Sequence, residues 1–431
     1  MRRGSRARGR VALLSFVPKL ETAVADALER ARLETIPFLS ADGPYADLIL
    51  IDARSSAAFS KAARVVEALK PVGRRTTLLA LVCAADADAA PRETVRLRAC
   101  ADLALLGPEA NRAVAARAQA LLRFQCVARE LGARLDEDGA SAADVRRDLQ
   151  RKRRARVLLA GEPGGGVLAL MNALGGAGAE TAAVFSPSQT ARALSAFEPD
   201  CLVVRPAGGA DPFSAVAALT RLDARTAIKP VVAYADARAV DAGAVAFDFD
   251  YAAPDADPRR AASVVAYSCK RAFTADAFAR SLRATSDRWA DPEGSGVLSA
   301  DAFARRWRRL GRAGAGLGLI RAPGLSRFSA GRGANALAAH AAADLLKRSV
   351  RSYDAVGRLG PDLFAVALPG APLRDAARTT ERLAAYLRAS AAPAGAPAGL
   401  FTGAVSAWTA CEGIESPERA LLRCVRQLAE G

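Results

Sequence analysis

The sequence is poor in the residues that build metal sites and disulfide frameworks. Its 431 residues include one histidine, His340, and seven scattered cysteines, none of which forms a Cys-x-x-Cys pair. Zinc sites and disulfide frameworks need such residues at short, regular spacings. We therefore expect no metal, no cofactor and no structural disulfide, and the isolated cysteines favour a reducing, cytoplasmic environment.

Long apolar runs are also missing. No window approaches 18 uninterrupted apolar residues, the length that predicts a membrane span. The apolar stretch at residues 11–17 is followed by charged residues and lacks a small-residue cleavage site, which argues against a signal peptide. We expect no membrane span.

Acidic residues are outnumbered. The chain has 45 Asp and Glu against 61 Lys and Arg, a net charge of +16. Such an excess is typical of proteins that bind nucleic acids, anionic membranes or small acidic ligands. The basic residues are dispersed, however, and no helix-turn-helix or aromatic-stacking motif accompanies them. We favour a general bias toward arginine and alanine and expect no nucleic-acid partner, and a basic nucleic-acid-binding protein stays as an alternative.

Apolar residues make up 51% of a chain that is too long for one ordinary core, so several domains are expected. Residues 10–125 alternate short apolar segments with amphipathic helical patterns, which predicts a parallel sheet covered on both faces. A charged stretch at 126–156 reads as a helical linker. The strand pattern then restarts, which indicates an internal duplication. The repeated apolar segments are 156–163, 198–206, 229–235 and 244–250.

Both copies place a distinctive residue at the carboxyl end of one strand. In the first copy Asp47 opens the strand and Asp52 follows five residues later, and in the second copy the pair is Asp200 and Arg205. Open α/β sheets keep their functional residues at this end. The two copies resemble the receiver domains of two-component signalling. The resemblance implies a CheY-like, doubly wound parallel sheet and an acceptor aspartate for a phosphoryl group.

The chemistry that the receiver family implies is incomplete in both copies. The metal and a lysine must neutralise charge on the phosphoryl group. In the first copy Ser-Phe at 15–16 replaces the acidic pair, and Gly-Pro at 107–108 stands where Lys-Pro is usual. Asp52 is the candidate phosphoacceptor, and an acid left from ancestry is the simpler interpretation. Arg205 cannot accept a phosphoryl group, so the second copy is a degenerate receiver.

The last third carries different landmarks: Asp-Pro at 291–292, Phe303, and the segment RSYDAVGRLGPDLF at 351–364. With these landmarks it resembles the GGDEF domain, the fold of diguanylate cyclases. The resemblance implies an α/β domain with antiparallel pairing around a signature hairpin. The order receiver, receiver, GGDEF is similar to that of PleD-like and PopA-like regulators of alphaproteobacteria. The predicted domains are receiver-like domain 1 at 10–140, degenerate receiver-like domain 2 at 154–280 and a degenerate GGDEF domain at 290–431.

The signature turn of that family is altered here. The cyclases join two GTP molecules, and they need a tight glycine turn near the phosphates and carboxylates for two Mg²⁺ ions. Pro361 removes an N–H group and adds bulk, Leu363 replaces the usual acid, and residues 320–329 contain no acid. We expect no catalytic residue and no enzyme, with a weakly active diguanylate cyclase response regulator as the alternative. The degenerate turn consists of Gly360, Pro361, Asp362, Leu363 and Phe364.

A second motif lies just before the turn. Arg351 and Asp354 form an Arg-x-x-Asp motif whose aspartate stands six residues before Gly360. A guanidinium group can fork onto guanine or stack on it, and a carboxylate can accept from its N1–H and N2–H edge. In many GGDEF proteins this motif binds cyclic di-GMP, and Arg382 matches the position of a secondary contact. The alternative is an ordinary i,i+3 salt bridge on a helix surface.

The resemblance implies a non-enzymatic cyclic di-GMP effector or scaffold. Its predicted ligand site comprises Arg351, Asp354 and Arg382. By the same resemblance the protein would be a homodimer with protein partners in a cell-cycle and regulated-proteolysis pathway, cytoplasmic and recruited to a cell pole.

Overall fold

The structure is a computed structural model, and it describes most of the chain between residues 10 and 430. The described ranges are 10–15, 18–31, 33–37, 46–53, 56–69, 77–82, 102–105, 111–138, 153–206, 212–222, 229–236, 249–287, 296–312, 314–327, 331–351, 353–371, 373–393, 396–411 and 416–430, with single positions at 92, 226, 239, 240 and 245. Several predicted landmarks fall outside these residues: positions 16, 107, 108, 291 and 292.

Within the described residues, the first parallel sheet has five strands in the order β2-β1-β3-β4-β5. Every neighbouring pair runs parallel. This is the doubly wound order found in flavodoxin and CheY. The strands are β1 (Arg10–Ser15), β2 (Glu34–Pro37), β3 (Leu48–Ala53), β4 (Thr77–Val82) and β5 (Asp102–Leu105). The helices of this copy are α1 (Pro18–Arg30), α2 (Ser56–Leu69) and the long α3 (Asn111–Asp138).

The second parallel sheet repeats the same order, β7-β6-β8-β9-β10. Its strands are β6 (Arg156–Gly161), β7 (Glu180–Val184), β8 (Cys201–Arg205), β9 (Val231–Tyr234) and β10 (Tyr251–Ala253). Its helices are α4 (Gly165–Gly176), α5 (Pro187–Ala196), α6 (Pro212–Leu222) and α7 (Pro258–Asp287). Of the strand predicted at 244–250, the structure describes positions 245, 249 and 250, which belong to no strand, and the other positions lie outside the described residues. The last strand begins at Tyr251, directly after the buried carboxylate of Asp250, which forms ion pairs with Arg123 and Arg221.

The third sheet is antiparallel, and the part of the chain that the structure describes gives it four strands in the order β12-β13-β11-β14. Side chains alternate along β11 and β13, so that one face packs on α10 and α11 and the other on α8 and α12. The strands are β11 (Ala315–Arg321), β12 (Ala355–Arg358), β13 (Leu363–Pro369) and β14 (Val405–Ala410). The helices are α8 (Ala300–Arg312), α9 (Pro323–Arg327), α10 (Gly331–Ser349), α11 (Leu373–Ala389) and α12 (Pro417–Glu430).

These sheets confirm the predicted fold class, two doubly wound parallel sheets followed by an α/β domain with an antiparallel hairpin. The described residues form two compact units. The N-terminal unit comprises those of Arg6–Gln125 and Leu149–Asp276, and the C-terminal unit those of Cys126–Asp148 and Ala277–Gly431. The three predicted domain ranges stay predictions. No helix within the described residues is long and apolar enough to cross a membrane.

Candidate functional site

The Arg-x-x-Asp motif lies in a turn between α10 and β12. The helix ends at Ser349, and the strand begins at Ala355. The backbone N–H of Asp354 donates to the carbonyl of Arg351 over 3.0 Å, which closes the turn. The motif therefore lies outside the helix, and the alternative of a salt bridge along a helix surface does not apply.

The two charged side chains of the motif are not paired with each other. Asp354 Oδ2 accepts from the backbone N–H of Arg351 over 2.8 Å, as in an Asx-type turn. The exposed guanidinium of Arg351 donates through Nη1 to the hydroxyl of Tyr353 over 2.9 Å, with Cζ 5.8 Å from the centre of the tyrosine ring. Within the part of the chain that the structure describes, Oδ1 of Asp354 accepts no hydrogen bond. The turn thus presents a cation and a carboxylate oxygen side by side.

Burial and charge set the protonation of this turn. Burial raises the pKa of Asp354 to about 6, although the charge of Arg351 and its backbone N–H act in the opposite direction. The carboxyl is therefore ionised at neutral pH and neutral in mild acid. Interaction with Tyr353 first, and then with Asp354, raises the pKa of Arg351 above its already high value. Arg351 is a cation at every accessible pH.

Arg382 lies on α11, and an acidic residue near the start of this helix interacts electrostatically with Arg351 of the motif. The charge of Asp375, in the first turn of α11, contributes to the raised pKa of Arg351. Arg382 follows Asp375 by seven residues, which places it on the same helix face about 10 Å further along the axis. Its Cζ lies 6.0 Å from the ring centre of the exposed Tyr386, and its buried Nε has no hydrogen-bond partner within the described residues. No hydrogen bond or ion pair in this part of the chain joins Arg382 to the motif.

The signature turn is the tip of the β12–β13 hairpin. Leu359 N–H donates to the carbonyl of Leu363 over 2.8 Å. Arg358 donates through Nε to the carbonyl of Gly360 over 3.2 Å, and through Nη2 to that of Pro361 over 3.0 Å. The half-buried side chain of Leu363 packs against the hydrophobic core between the sheet and helices α8 and α12. Phe364 is fully buried in the core on the other face of the sheet, under α10 and α11. The position of the family's acid is thus an apolar contact.

The acid that survives in the turn is already paired. The carboxylate of Asp362, 8% exposed, accepts from Arg321 Nε over 3.2 Å and from the Ser326 hydroxyl over 3.0 Å. Arg321 ends β11 and Ser326 lies on α9, so both partners come from the segment in which the GGDEF family implies metal-binding acids. The described residues contain no group of three His, Cys, Asp or Glu side chains that could hold a metal ion.

The candidate receiver positions lie at strand ends, as predicted. Asp52 is near the end of β3, opposite Ser15 of β1, and its side chain is fully buried. Arg205 ends β8, and its guanidinium covers the glycine-rich loop before α4. A Cβ atom on Gly164 would lie 3.2 Å from Arg205 Nη1, and one on Gly166 would lie 3.7 Å from Cζ. In the second copy the arginine itself fills the space above this loop.

Three residues of this region escaped the sequence analysis. Tyr353 stands inside the motif, and an aromatic residue beside an arginine could have indicated stacking. Arg321 pairs with Asp362 across the β11–β13 ladder, a contact that only strand register reveals. Arg134 donates to the backbone carbonyl groups of Tyr353 and Asp354 from a helix more than 200 residues earlier in the chain. No sequence signal predicts such a contact.

Comparisons with known proteins give remote matches of fold. No protein-family model matches the chain, and no curated protein matches it. Among solved structures, the chain is similar to the diguanylate cyclase SiaD from Pseudomonas aeruginosa in complex with its activator SiaC, at 20% identity and a TM-score of 0.31. That match covers 35% of this chain and spans 60% of the SiaD chain.

Two further similar structures are a GGDEF domain and a chain that contains a phosphoreceiver domain. The GGDEF domain of DgcB from Caulobacter crescentus, in complex with c-di-GMP, matches at 16% identity over 33% of this chain and 87% of that one, with a TM-score of 0.29. The C-terminus of RcsC from E. coli, with its linker region and phosphoreceiver domain, matches at 13% identity over 62% of this chain and 96% of that one, with a TM-score of 0.20. The fold of this chain is established by its own strand orders.

Proposed function

We propose that this protein is a non-enzymatic effector that binds cyclic di-GMP at Arg351 and Asp354, with Arg382 as a secondary contact. The observation that carries the proposal is the geometry of the turn. The carboxylate is fixed through Oδ2 by the backbone N–H of Arg351 rather than by its guanidinium, so the two charged side chains lie close together without a hydrogen bond between them.

This arrangement suits guanine. The guanidinium of Arg351 can donate to O6 and N7 or stack on the base, and Asp354 Oδ1 can accept from the N1–H and N2–H edge. Adenine presents the opposite pattern on that edge and would leave the carboxylate facing an acceptor. The two phosphates of the ligand need cations, and Arg382, with an unpartnered Nε among the described residues, can supply one.

Two features of the turn support the absence of cyclase activity. A metal ion at Asp362 would have to displace Arg321, which already neutralises the carboxylate. The carbonyl groups of Gly360 and Pro361 accept from Arg358, and proline offers no N–H group to a phosphate. The remaining alternative, a weakly active diguanylate cyclase, predicts product from GTP and Mg²⁺ that disappears in Asp362→Ala.

Calorimetric titration of cyclic di-GMP into the full chain tests the proposal. Loss of a bidentate contact to a base costs about 1–3 kcal/mol, so Arg351→Ala should weaken binding roughly 5- to 150-fold. Arg348→Ala is the matched control, because Arg348 is exposed three residues earlier and pairs with Asp344 over 2.9 Å. Equal affinities for wild type and Arg351→Ala, or no binding by wild type, would contradict the proposal.

The cellular role that we propose for this effector rests on the resemblance of its domain order to PleD-like and PopA-like regulators. Ligand binding would favour one domain arrangement through differential affinity, and the receiver-like domains would dimerise or dock proteins of a cell-cycle and proteolysis pathway at a cell pole. Sedimentation with and without cyclic di-GMP tests the dimer. Steeply salt-dependent DNA binding that ignores the ligand would instead favour the nucleic-acid alternative.

A further inference from the structure

A buried arginine lies directly behind the Arg-x-x-Asp turn. Arg134, on α3, is 1% exposed. Its Nη2 donates to the backbone carbonyl groups of Tyr353 over 3.2 Å and of Asp354 over 3.4 Å. Its Nη1 donates to the carbonyl of Leu282, in the C-terminal part of α7, over 3.1 Å, and its Nε to Glu130 over 2.7 Å. One guanidinium therefore joins α3, α7 and the turn.

Glu130 extends the same connection to a fourth element. Its carboxylate, 3% exposed, accepts two hydrogen bonds from Arg309 of α8, over 2.9 and 3.0 Å, and lies 4.0 Å from Arg306. Burial acts to raise the pKa of Glu130, but Arg134 and Arg309 outweigh it and hold the pKa below its usual value. Glu130 is thus an anion at neutral pH, and its hydrogen bond with Nε of Arg134 orients that guanidinium.

The two helices joined by Arg134, α3 and α7, each connect the N-terminal unit with the C-terminal unit along the chain. Both α3 and α7 begin among residues of the N-terminal unit and end among residues of the C-terminal unit. The atoms that Arg134 holds belong to the turn that carries the candidate ligand site. A ligand that fixes the Asp354 carboxylate also restricts the carbonyl of the same residue. That carbonyl accepts a hydrogen bond from Arg134, so a ligand that restricts its motion would also restrict Arg134.

We propose that Arg134 is a positioning residue, which couples occupancy of the turn by cyclic di-GMP to the stability of the C-terminal halves of α3 and α7. This inference rests on the proposed function. Coupling requires that the ligand bind better when the Arg134 hydrogen bonds are formed, and by reciprocity these bonds then raise the affinity for the ligand. Because the coupling runs through backbone carbonyl groups, it depends on the forked geometry of arginine rather than on its charge.

The test combines hydrogen exchange of the full chain with a conservative variant. In wild type, saturating cyclic di-GMP should slow exchange at residues 127–138 and 277–287 as well as at the turn. Arg134→Lys keeps the ion pair with Glu130 but loses the fork to the three carbonyl groups. We expect this variant to bind the ligand about 5- to 10-fold more weakly, within the range of measured couplings, and to lose the ligand-induced protection of α3. Arg129→Lys, an exposed position on the same helix, should respond like wild type.

The outcomes separate this inference from the proposed function. If wild type does not bind cyclic di-GMP, the proposed function fails and this inference fails with it. If wild type binds but exchange in α3 and α7 is unchanged, or if Arg134→Lys retains the full response, the coupling is wrong while the ligand site stands. Should Arg134→Lys not fold, the wild-type exchange pattern decides the matter: ligand-induced protection at 127–138 and 277–287 supports the coupling, and unchanged exchange there contradicts it.

Discussion

Arg321 donates a hydrogen bond from Nε to the carboxylate of Asp362 over 3.2 Å. Arg321 ends β11 and pairs in register with Leu363, the first residue of the antiparallel strand β13, so it lies next to Asp362 in the turn just before that strand. A cation of the chain is therefore paired with Asp362, the one acid among residues 360–364. The contact joins the tip of the β12–β13 hairpin to β11, which is a structural role.

Arg321→Ala should lower the free energy of unfolding of the C-terminal unit. The Arg321 side chain is 51% exposed, so solvent screens the ion pair and we expect a loss of about 1 kcal/mol or less. Urea denaturation of this variant beside Arg327→Ala, an exposed arginine on α9, measures the difference. Equal midpoints for the two variants would show that the pair contributes nothing.

Gly360→Ala should be tolerated, unlike a glycine substitution in the core of the same sheet. The φ angle of Gly360 lies outside the left-handed region, and an added Cβ would meet Leu363 Cβ at 3.8 Å. A gain of about 0.4–1 kcal/mol is expected from the lower entropy of the unfolded chain. In Gly318→Ala the Cβ would lie 2.1 Å from Thr380 Oγ1, and overpacking should cost about 1–3 kcal/mol.

Urea denaturation of the two variants checks this contrast, and cyclic di-GMP titration of Gly360→Ala extends it. Unchanged ligand affinity is expected, because the turn at 360–364 does not belong to the proposed site. A large loss of stability in Gly360→Ala would mean that the turn still needs the backbone freedom of glycine.

The duplication was predictable from the sequence because each copy repeats the same strand-opening chemistry. In the first copy Asp47 accepts from the backbone N–H of Arg10 over 3.1 Å, and Arg10 pairs with Glu34. In the second copy Asp200, Arg156 and Glu180 make the same two contacts. Strand order and the position of the candidate site follow from such local patterns and their spacing.

Contacts between distant segments were not predictable. Asp250, directly before β10, contacts Arg123, Arg221 and the backbone N–H of Val231, three partners that are distant from it in the sequence. The hydrogen bonds of Arg134 to the Arg-x-x-Asp turn also join segments that are distant in the sequence. An arginine-rich sequence gives no signal for which guanidinium is buried, because burial depends on tertiary packing.

Asp250→Asn should destabilise the N-terminal unit strongly. The buried carboxylate forms ion pairs with Arg123 and Arg221, and Asp250→Asn leaves both cations facing a neutral amide. Removal of one partner from a buried ion pair costs about 3–5 kcal/mol. Asp236→Asn, an exposed position in the same unit, is the control. Guanidinium denaturation at pH 7 measures the loss, and a loss no larger than the control's would contradict the structural role.

The same variant predicts a pH dependence. Burial acts to raise the pKa of Asp250, but Arg221 and Arg123 outweigh it and lower the pKa below its ordinary 3.8. A lowered pKa stabilises the folded state above the ordinary value and loses this contribution as the pH falls through the folded value. The gap between wild type and Asp250→Asn should therefore narrow below pH 3.8.

Binding of cyclic di-GMP should weaken in mild acid because Asp354 must be ionised to accept from guanine. With a pKa of about 6, the carboxyl is mostly ionised at neutral pH and mostly protonated one unit below that pKa. The apparent dissociation constant should rise about tenfold from pH 7 to pH 5. Titrations across this range measure it, and Asp354→Asn should bind more weakly with a flat profile.

As the pH falls from 7 to 5, the contribution of Asp354 to the stability of the unliganded protein should rise, whereas the affinity for the ligand falls. A pKa raised from 3.8 to about 6 means that the folded state favours the protonated form. This contribution to stability is complete below pH 3.8 and is lost as the pH rises through 6. Asp354→Asn should therefore raise the melting temperature at pH 7 while it weakens the ligand, whereas Asp344→Asn, an exposed acid on α10, should do neither. A turn that served structure alone would lose stability in Asp354→Asn and show no effect on binding, so the two readouts together separate a ligand site from a structural turn.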